Sequence, residues 1–281
     1  MNFTIANKKL STTINPLGAE LISLKKNNIE YIWEGNPEFW GKHSPVLFPI
    51  VGTLKNDTYV YNSKEYKLSR HGFARDFKFE IDQSTSDSVT FLLTSNEETL
   101  KVYPFQFELR INYLLKEDTL RISYEVVNRN DFAMPFSIGG HPAFALPGNF
   151  EDYSLNFNND DNLKSYFLED NLLSEKFQDI TLEENQLQLK YSLFENDALI
   201  IKNLNSESIS IVKDDETVLK FDFKGFPNFG IWTKENAPFI CLEPWFGYSD
   251  RLDSSGDLFK KEGIQVLEPR KTFLASYSVK I

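Results

Sequence analysis

The chain has very few of the residues that build disulfide frameworks and metal sites. Its 281 residues include one cysteine and three histidines. A single cysteine, Cys241, excludes an intramolecular disulfide, and its apolar surroundings at 239–242 predict a core position rather than a nucleophile. The histidines are far apart, with no His-x-x-x-His or Cys-x-x-Cys spacing. We therefore expect no dedicated zinc site.

Positive charge is also scarce. The chain has 30 lysines and arginines and 41 aspartates and glutamates, so its formal net charge is −11. An acidic chain of this kind is a poor partner for nucleic acid or for anionic membrane surfaces. No apolar run reaches the roughly 18 residues of a membrane span. The N-terminal stretch lacks the charged-then-apolar layout of a signal peptide. Together these absences predict a cytoplasmic protein with no nucleic-acid or membrane partner.

Helical patterns and nucleotide motifs are equally rare. The sequence contains no phosphate-binding glycine loop, dinucleotide fingerprint or Gly-x-Ser-x-Gly elbow. A cap at Ser95 or Asn96 and a stop at Pro104 predict one short helix. Residues 167–177 suggest another helical turn or two. Because strand and helix patterns do not alternate, a parallel doubly wound sheet is not expected.

What the sequence does contain is a strong period of two. In residues 119–128 the apolar side chains fall on alternate positions, namely Leu120, Ile122, Tyr124 and Val126. Hairpin turns are predicted at 116–119 and at Asn62–Ser63, and further strands at 88–95, 198–203 and 208–213. Many antiparallel strands with short turns predict an all-β fold, a large antiparallel β-sandwich or barrel, as a single domain over residues 1–281.

One histidine lies in the tightly constrained stretch "GGHPAF" at 139–144. His141 could give or take a proton near neutral pH, since its unperturbed pKa lies there. The two glycines allow close backbone approach to a ligand, and Pro142 stiffens the other side. Alternatively, His141 is a loop residue that only hydrogen-bonds a carbonyl group.

A second histidine occurs in "RHGFARD" at 70–76. The cations Arg70 and Arg75 beside His71 favour its neutral form. The alternative is an exposed turn with a solvated salt bridge. The third histidine, His43, has weaker surroundings, and we expect a structural role for it.

The remaining informative stretch is "FICLEPWFGYSD" at 239–250. Residues 239–242 predict a buried strand with Glu243 at its end, followed by Pro244 and two large aromatics. Partial desolvation there would raise the pKa of Glu243 and make it a better base. The alternative is a carboxylate that pairs with a nearby arginine.

The motifs "HGFARD", "GGHPAF" and "EPWFG" resemble, in this order and with similar spacing, those of the aldose 1-epimerases, or galactose mutarotases. The resemblance covers nearly the whole chain, and "HGFAR" is also shared with hexose-6-phosphate mutarotases. It implies a large antiparallel β-sandwich, the galactose mutarotase-like supersandwich. It also implies interconversion of the α and β anomers of a hexose or hexose phosphate, without a metal or organic cofactor.

The resemblance also implies roles for individual residues. Glu243 is similar to the family's general base, His141 to its general acid, and His71 to a second histidine that binds and polarises the sugar. Expected substrate contacts are Arg75, Asp222 and Trp245. A non-catalytic carbohydrate-binding protein on the same fold is the alternative. A glycoside-processing enzyme would need two carboxylates flanking one bond, and only Glu243 has suitable surroundings.

Two positions depart from galactose-type members of the family. Arg70 precedes His71, where those members carry an Asn-His-Leu-His-like run, and Thr53 follows "IVG", where related proteins often have arginine. Arg70 and Arg75 bracket His71 in an otherwise acidic chain, which favours a phosphorylated or otherwise anionic sugar over neutral galactose. The alternative is that Arg75 pairs with Asp76 or another acid and only shapes the loop, and Thr53 leaves a full phosphate site one arginine short.

Overall fold

Alternating apolar and polar residues build an almost entirely β protein. The computed structural model describes residues 1–281. Its strands, numbered in chain order, are β1 Phe3–Ala6, β2 Leu10–Asn15, β3 Glu20–Lys26, β4 Ile29–Glu30, β5 Val46–Leu47, β6 Thr58–Tyr61, β7 Lys64–Lys67, β8 Glu80–Ser84, β9 Ser88–Thr94, β10 Phe107–Lys116, β11 Thr119–Asn128, β12 Met134–Phe136, β13 Ile138–Gly140, β14 Ala143–Ala145, β15 Tyr153–Phe157, β16 Asn162–Glu169, β17 Leu172–Thr181, β18 Gln186–Gln188, β19 Leu199–Lys202, β20 Ser208–Lys213, β21 Glu216–Asp222, β22 Asn228–Trp232, β23 Phe239–Phe246, β24 Gln265–Leu267 and β25 Thr272–Lys280.

Two large antiparallel sheets form the sandwich. One has nine strands in the order β18-β15-β20-β21-β25-β11-β10-β9-β8. The other has eight, in the order β17-β16-β19-β22-β23-β13-β5, with β14 also paired to β23. Strands β1 to β4 form a separate four-stranded sheet, and the pairs β12-β24 and β6-β7 complete the set. The predicted all-β sandwich is confirmed.

The helical segments are short. The α-helix, α1, spans Glu97–Val102, and Asn96 caps it by accepting hydrogen bonds from the backbone N–H groups of Glu98 and Thr99, as the sequence predicts. Five 3₁₀ segments span Lys55–Asp57, Ala74–Asp76, Phe150–Asp152, Tyr191–Phe194 and Leu258–Lys260. No helix of this structure has the length and apolar character that crossing a membrane would require.

The two predicted hairpins are confirmed, and one predicted helical segment is wrong. Strands β10 and β11 turn at 116–119, and β6 and β7 turn at Asn62–Ser63. Helical turns predicted in 167–177 are wrong, because this segment is the hairpin of β16 and β17. Its turn residues Asp170 and Asn171 have φ values of 51° and 65°. Left-handed backbone at both positions favours a tight hairpin, and Asp and Asn tolerate it better than most residues.

The interior lies between the two large sheets. A continuous cluster of 59 buried residues includes side chains from both of them. Phe221 of the nine-stranded sheet contacts Phe144 and Phe229 of the eight-stranded sheet, with ring centroids 5.7 and 6.1 Å apart. Most of the abundant phenylalanines therefore fill this space, where each buries a large apolar area.

Strand β23 has two very different faces. Ile240 and Leu242 point into the large core, so the alternation of a strand places Cys241, Glu243 and Trp245 on the opposite, outward face. The strand continues to Phe246, so the prediction that Glu243 ends it is wrong. Proline at 244 removes one backbone donor, yet its fixed φ is compatible with a strand. The continuation fixes the direction in which Glu243 points.

Glycines on both neighbouring strands make room for the Trp245 indole. A Cβ at Gly139 of β13 would lie 2.5 Å from Trp245 Cδ1, and one at Gly230 of β22 would lie 2.4 Å from Cη2. The indole thus lies flat across three strands of the outward face. Gly140 leaves space on the inner face of the sheet, where a Cβ at this position would lie 2.8 Å from the Tyr277 hydroxyl oxygen.

We predict that Gly230→Ala destabilises the fold, because the added methyl overlaps a buried and rigid ring. Overpacking of this kind costs about 1–3 kcal/mol of the free energy of unfolding, measurable by urea denaturation. Gly41→Ala is the matched control, since its Cβ would meet nothing closer than 3.7 Å. Equal stability of the two variants would contradict this account of the outward face.

Candidate active site

The pairing of β13 and β14 with β23 places His141 directly across from Glu243. Gly139 pairs with Trp245 and Ala143 pairs with Cys241. The same register, continued between them, sets position 141 opposite position 243. Cross-strand partners project from the same face of a sheet, so the imidazole and the carboxyl group meet on the outward face.

The two side chains are in contact and largely buried. His141 Nε2 lies 3.2 Å from Glu243 Oε2, and the side chains are 12% and 2% exposed. The contact is not aligned as a hydrogen bond, so Glu243 Oε2 has no hydrogen-bond partner, and neither has His141 Nδ1. Buried polar atoms without partners are rare in proteins and often mark sites that await a ligand.

Burial acts on both groups in the same sense, against charge. It raises the pKa of Glu243 well above the usual carboxyl range and lowers the pKa of His141 well below the usual histidine range. Burial therefore favours a carboxylic acid beside a neutral imidazole over charged groups at both positions. Moving one proton from Glu243 to His141 converts it into an ion pair of the same total charge. The pair thus holds one transferable proton.

His71 faces the pair at the edge of the same cavity. Its ring is 6.0 Å from the His141 ring between centroids, nearly perpendicular to it. Burial, His141 and the two neighbouring arginines lower the pKa of His71, so it is neutral. The Gly52 backbone N–H donates to its Nδ1 at 3.1 Å. The Arg70 Nε–H points at the other ring nitrogen, Nε2, at 3.2 Å. A neutral imidazole has a single acceptor nitrogen, so Gly52 and Arg70 compete to donate to it.

Aromatic side chains fix the position of the His141 ring. Trp40 stacks on the imidazole with centroids 4.7 Å apart, and Trp232 meets it edge-on at 5.8 Å. With Trp245, these tryptophans line a cavity of about 320 Å³, at the lower end of the usual size for small-molecule sites. An apolar wall of this kind suits the C–H face of a sugar ring.

Two arginines border the cavity beside His71. Arg75 donates from Nη2 to the Arg70 carbonyl oxygen at 2.7 Å, and its Nε lies 3.8 Å from an Asp76 oxygen. That Nε is buried and has no hydrogen-bond partner. Arg70 lies 3.8 Å from the Asp197 carboxylate through Nη2 and 3.2 Å from His71 Nε2 through Nε. Both guanidinium groups therefore have hydrogen-bonding capacity toward a ligand.

Five of the six residues predicted from the sequence line this one cavity: His71, His141, Glu243, Arg75 and Trp245. The sixth, Asp222, does not. It lies on β21 of the nine-stranded sheet, opposite Ser208 and Ser278. The expectation of a substrate contact at Asp222 is corrected, because the cavity is on the outward face of the other sheet.

The sequence did not identify three further cavity residues, Trp40, Trp232 and Asp197. The two tryptophans could have been identified by their rarity, since the chain has only four tryptophans and three of them line this cavity. Asp197 follows a 3₁₀ segment with a φ of 79°. Its local sequence resembles that of other acidic turns, so nothing in it marks the position.

Comparisons with known proteins identify the family to which the chain belongs. The family model described as aldose 1-epimerase matches residues 1–264. The plasmid-encoded protein LacX of Lactococcus lactis subsp. lactis is 37% identical over 299 aligned positions, which cover 100% of this chain and 99% of LacX.

Solved structures show the same relationship. A galactose mutarotase related enzyme from Lactobacillus acidophilus has a TM-score of 0.95 at 40% identity, covering 100% of this chain and 97% of that one. A galactose mutarotase-like protein from Lactobacillus casei ATCC 334 has a TM-score of 0.91 at 31% identity, with 100% and 99% covered. The chain belongs to the aldose 1-epimerase family and is an isomerase-type enzyme.

We predict that Glu243→Gln stabilises the folded protein increasingly as pH rises. Because the folded-state pKa of Glu243 is raised, the folded protein binds this proton more tightly than the unfolded chain does, and the wild-type free energy of unfolding falls as pH rises from the unfolded-state pKa to the folded-state pKa. Glutamine does not titrate, so the variant lacks this loss of stability as pH rises. The stability difference should grow by up to about 1.4 kcal/mol per pH unit between about pH 5.5 and the folded-state pKa.

Urea denaturation of both proteins across this pH range measures the difference. A stability difference that is independent of pH, or that shrinks as pH rises, would show that Glu243 is ionised in the folded protein.

Proposed function

We propose that the protein interconverts the α and β anomers of a hexose or hexose phosphate by acid–base ring opening. The observation that carries the proposal is the buried pair of His141 and Glu243, 3.2 Å apart at the cavity. Membership of the aldose 1-epimerase family supports it. The sugar itself is the only reactant that this chemistry requires.

The reaction needs two proton movements at one end of the sugar. A cyclic aldose is a hemiacetal, in which C1 carries both a hydroxyl group and the ring oxygen. Ring opening removes the proton of the C1 hydroxyl, breaks the bond from C1 to the ring oxygen, and protonates that oxygen. Rotation about C1–C2 exposes the other face of the aldehyde, and closure gives the other anomer. An acid and a base must therefore act together on one C–O bond.

Glu243 and His141 have the protonation states that both halves of the reaction need. In the ion-pair form, the Glu243 carboxylate takes the hydroxyl proton while the His141 imidazolium protonates the ring oxygen. The products are the open-chain aldehyde and the neutral pair. Closure runs in reverse, with neutral His141 as base and the Glu243 carboxyl group as acid. Opening therefore leaves the pair in the neutral form that closure uses, and burial favours this form.

His71 is positioned to hydrogen-bond a sugar once Arg70 releases it. The Gly52 backbone N–H donates to its Nδ1, and the Arg70 Nε–H points at its Nε2 at 3.2 Å. When Gly52 holds Nδ1, the single hydrogen of the neutral ring is on Nε2, so rotation of Arg70 toward the ligand would let Nε2–H donate to a sugar oxygen. We assign His71 to orienting and polarising the substrate, and Trp245 to packing on its apolar face.

A non-catalytic sugar-binding protein is the competing function. Such a protein gains nothing from a buried titratable pair, which disfavours folding at neutral pH. Binding and turnover can be separated experimentally, since an amide at position 243 keeps the shape of the side chain but cannot accept a proton.

We predict that Glu243→Gln and His141→Gln each lower the rate of anomer interconversion by about 10²–10⁴-fold, the usual loss when one acid–base partner is removed. The measurement is relaxation of freshly dissolved α-anomers to equilibrium, followed by NMR for several hexoses and hexose 6-phosphates. The matched control is Asp222→Asn, which removes a carboxylate outside the cavity and should retain wild-type rates. Wild-type turnover by Glu243→Gln on the best substrate would remove Glu243 from the role of base.

An anionic substrate is favoured by a specific observation at Arg75. Its buried Nε has no hydrogen-bond partner, and the side chain lines the cavity beside Arg70. Two guanidinium groups at one cavity in a protein of net charge −11 suit a phosphate group, whose oxygens match the planar fork of arginine. We therefore propose a hexose phosphate as the preferred substrate.

We predict that Arg75→Gln raises the KM for a hexose 6-phosphate about tenfold or more, because a charge-assisted hydrogen bond contributes about 1.5–3 kcal/mol. The KM for the matching neutral hexose should change little. Arg75→Lys, which keeps the charge, is expected to fall between them. If wild-type protein turns over both sugars equally and the glutamine variant does the same, the preference for an anionic sugar is wrong.

A further inference from the structure

Three potential metal ligands converge beneath the cavity. Cys241 precedes Glu243 by two residues on β23, so both side chains lie on the outward face, and His141 faces Glu243 from the neighbouring chain segment. The cysteine sulfur, one ring nitrogen of His141 and one carboxylate oxygen of Glu243 all lie within 4.8 Å of one another. Cys241 and Glu243 are almost completely buried.

Two of these side chains have unused hydrogen-bonding atoms at this point. Glu243 Oε2 and His141 Nδ1 are buried without partners, and the Cys241 thiol is free of any disulfide. A sulfur, an imidazole nitrogen and a carboxylate oxygen form the mixed donor set that Zn²⁺ and Co²⁺ accept. Mg²⁺ and Ca²⁺ prefer oxygen donors only.

We propose that His141, Cys241 and Glu243 form an inhibitory site for Zn²⁺ and similar thiophilic divalent cations. Ligand bonds of about 2.0–2.3 Å in a tetrahedral site place the donors roughly 3.4–3.6 Å apart. The three donor atoms, now within 4.8 Å of one another, must therefore move closer together when the cation binds. On binding, the hydrated cation releases all but one of its waters to solvent, while the Cys241 thiol and the Glu243 carboxyl group release their protons to solvent. The fourth coordination position is taken by a water.

The cation would block the proposed mutarotation, since it would hold the Glu243 carboxylate and the His141 imidazole, the two groups that move protons in the reaction. This inhibitory consequence rests on the proposed function, whereas binding of the cation does not. The site is assembled from a strand and the segment across from it. Sequence spacing alone therefore gave no sign of it.

Binding is tested directly with Co²⁺, whose thiolate complexes have a charge-transfer absorption in the near ultraviolet. Titration of wild-type protein should develop this band. Cys241→Ala and Cys241→Ser should both lack it and bind Co²⁺ at least about tenfold more weakly. Two variants are used because a serine hydroxyl in this buried position could disturb folding. His43→Ala is the control for adventitious binding, since His43 also lies near a carboxylate, that of Glu20, and it should retain the band.

Inhibition is tested with Zn²⁺ in the NMR assay. Zn²⁺ should inhibit the wild-type enzyme, a chelator should reverse the inhibition, and Mg²⁺ should have no effect. Cys241→Ala should have wild-type basal activity and need at least about ten times more Zn²⁺ for the same inhibition. Equal inhibition of Cys241→Ala and wild type, or no cobalt band in wild type, would overturn the site. A cobalt band in a protein that turns over no sugar would support the metal site while removing the proposed function.

Discussion

The structure depends on one constraint, the antiparallel register that sets His141 opposite Glu243 on the outward face of a sheet whose other face is core. Because β13 and β14 pair with β23 in one continuous register, the imidazole and the carboxyl group meet without a dedicated loop to hold them. The Trp40 ring stacks on the imidazole, and Gly139 and Gly230 leave space for Trp245 beside the pair. If the register of β23 were shifted by one residue, these contacts could not form, since every side chain of the strand would then change face.

Burial gives the site its chemistry and reduces the stability of the fold. It moves the pKa values of Glu243 and His141 toward each other's usual range, which favours the passage of a single proton between them. The two groups also lack the hydrogen bonds that would satisfy them. The large apolar interior on the other face of the same sheet offsets this loss. An unsatisfied pair in an otherwise well-packed protein is typical of a site whose function opposes stability.

Much of the fold and part of the candidate site could be predicted from the sequence. The alternation of apolar and polar residues identified the strands, because one face of each is buried. Neighbouring glycine and proline residues identified His141 and Glu243 as candidate site residues. The hairpin of β16 and β17 was missed since an Asp-Asn turn between apolar runs also suits a helix end. Asp197 and Asp222 show the remaining limit: which acidic residue reaches the cavity depends on the order of strands in the sheets, and no local pattern encodes that order. The proximity of Cys241 to the pair has the same cause.

The most direct test of the central claim is a crystal structure of Glu243→Gln with a slowly reacting sugar bound. We expect the C1 hydroxyl to lie within hydrogen-bond distance of the side chain at position 243. The ring oxygen should lie within the same distance of His141, with an apolar face of the sugar against Trp245. A sugar bound with C1 directed away from both side chains, or bound outside this cavity, would contradict the assignment of the pair to ring opening.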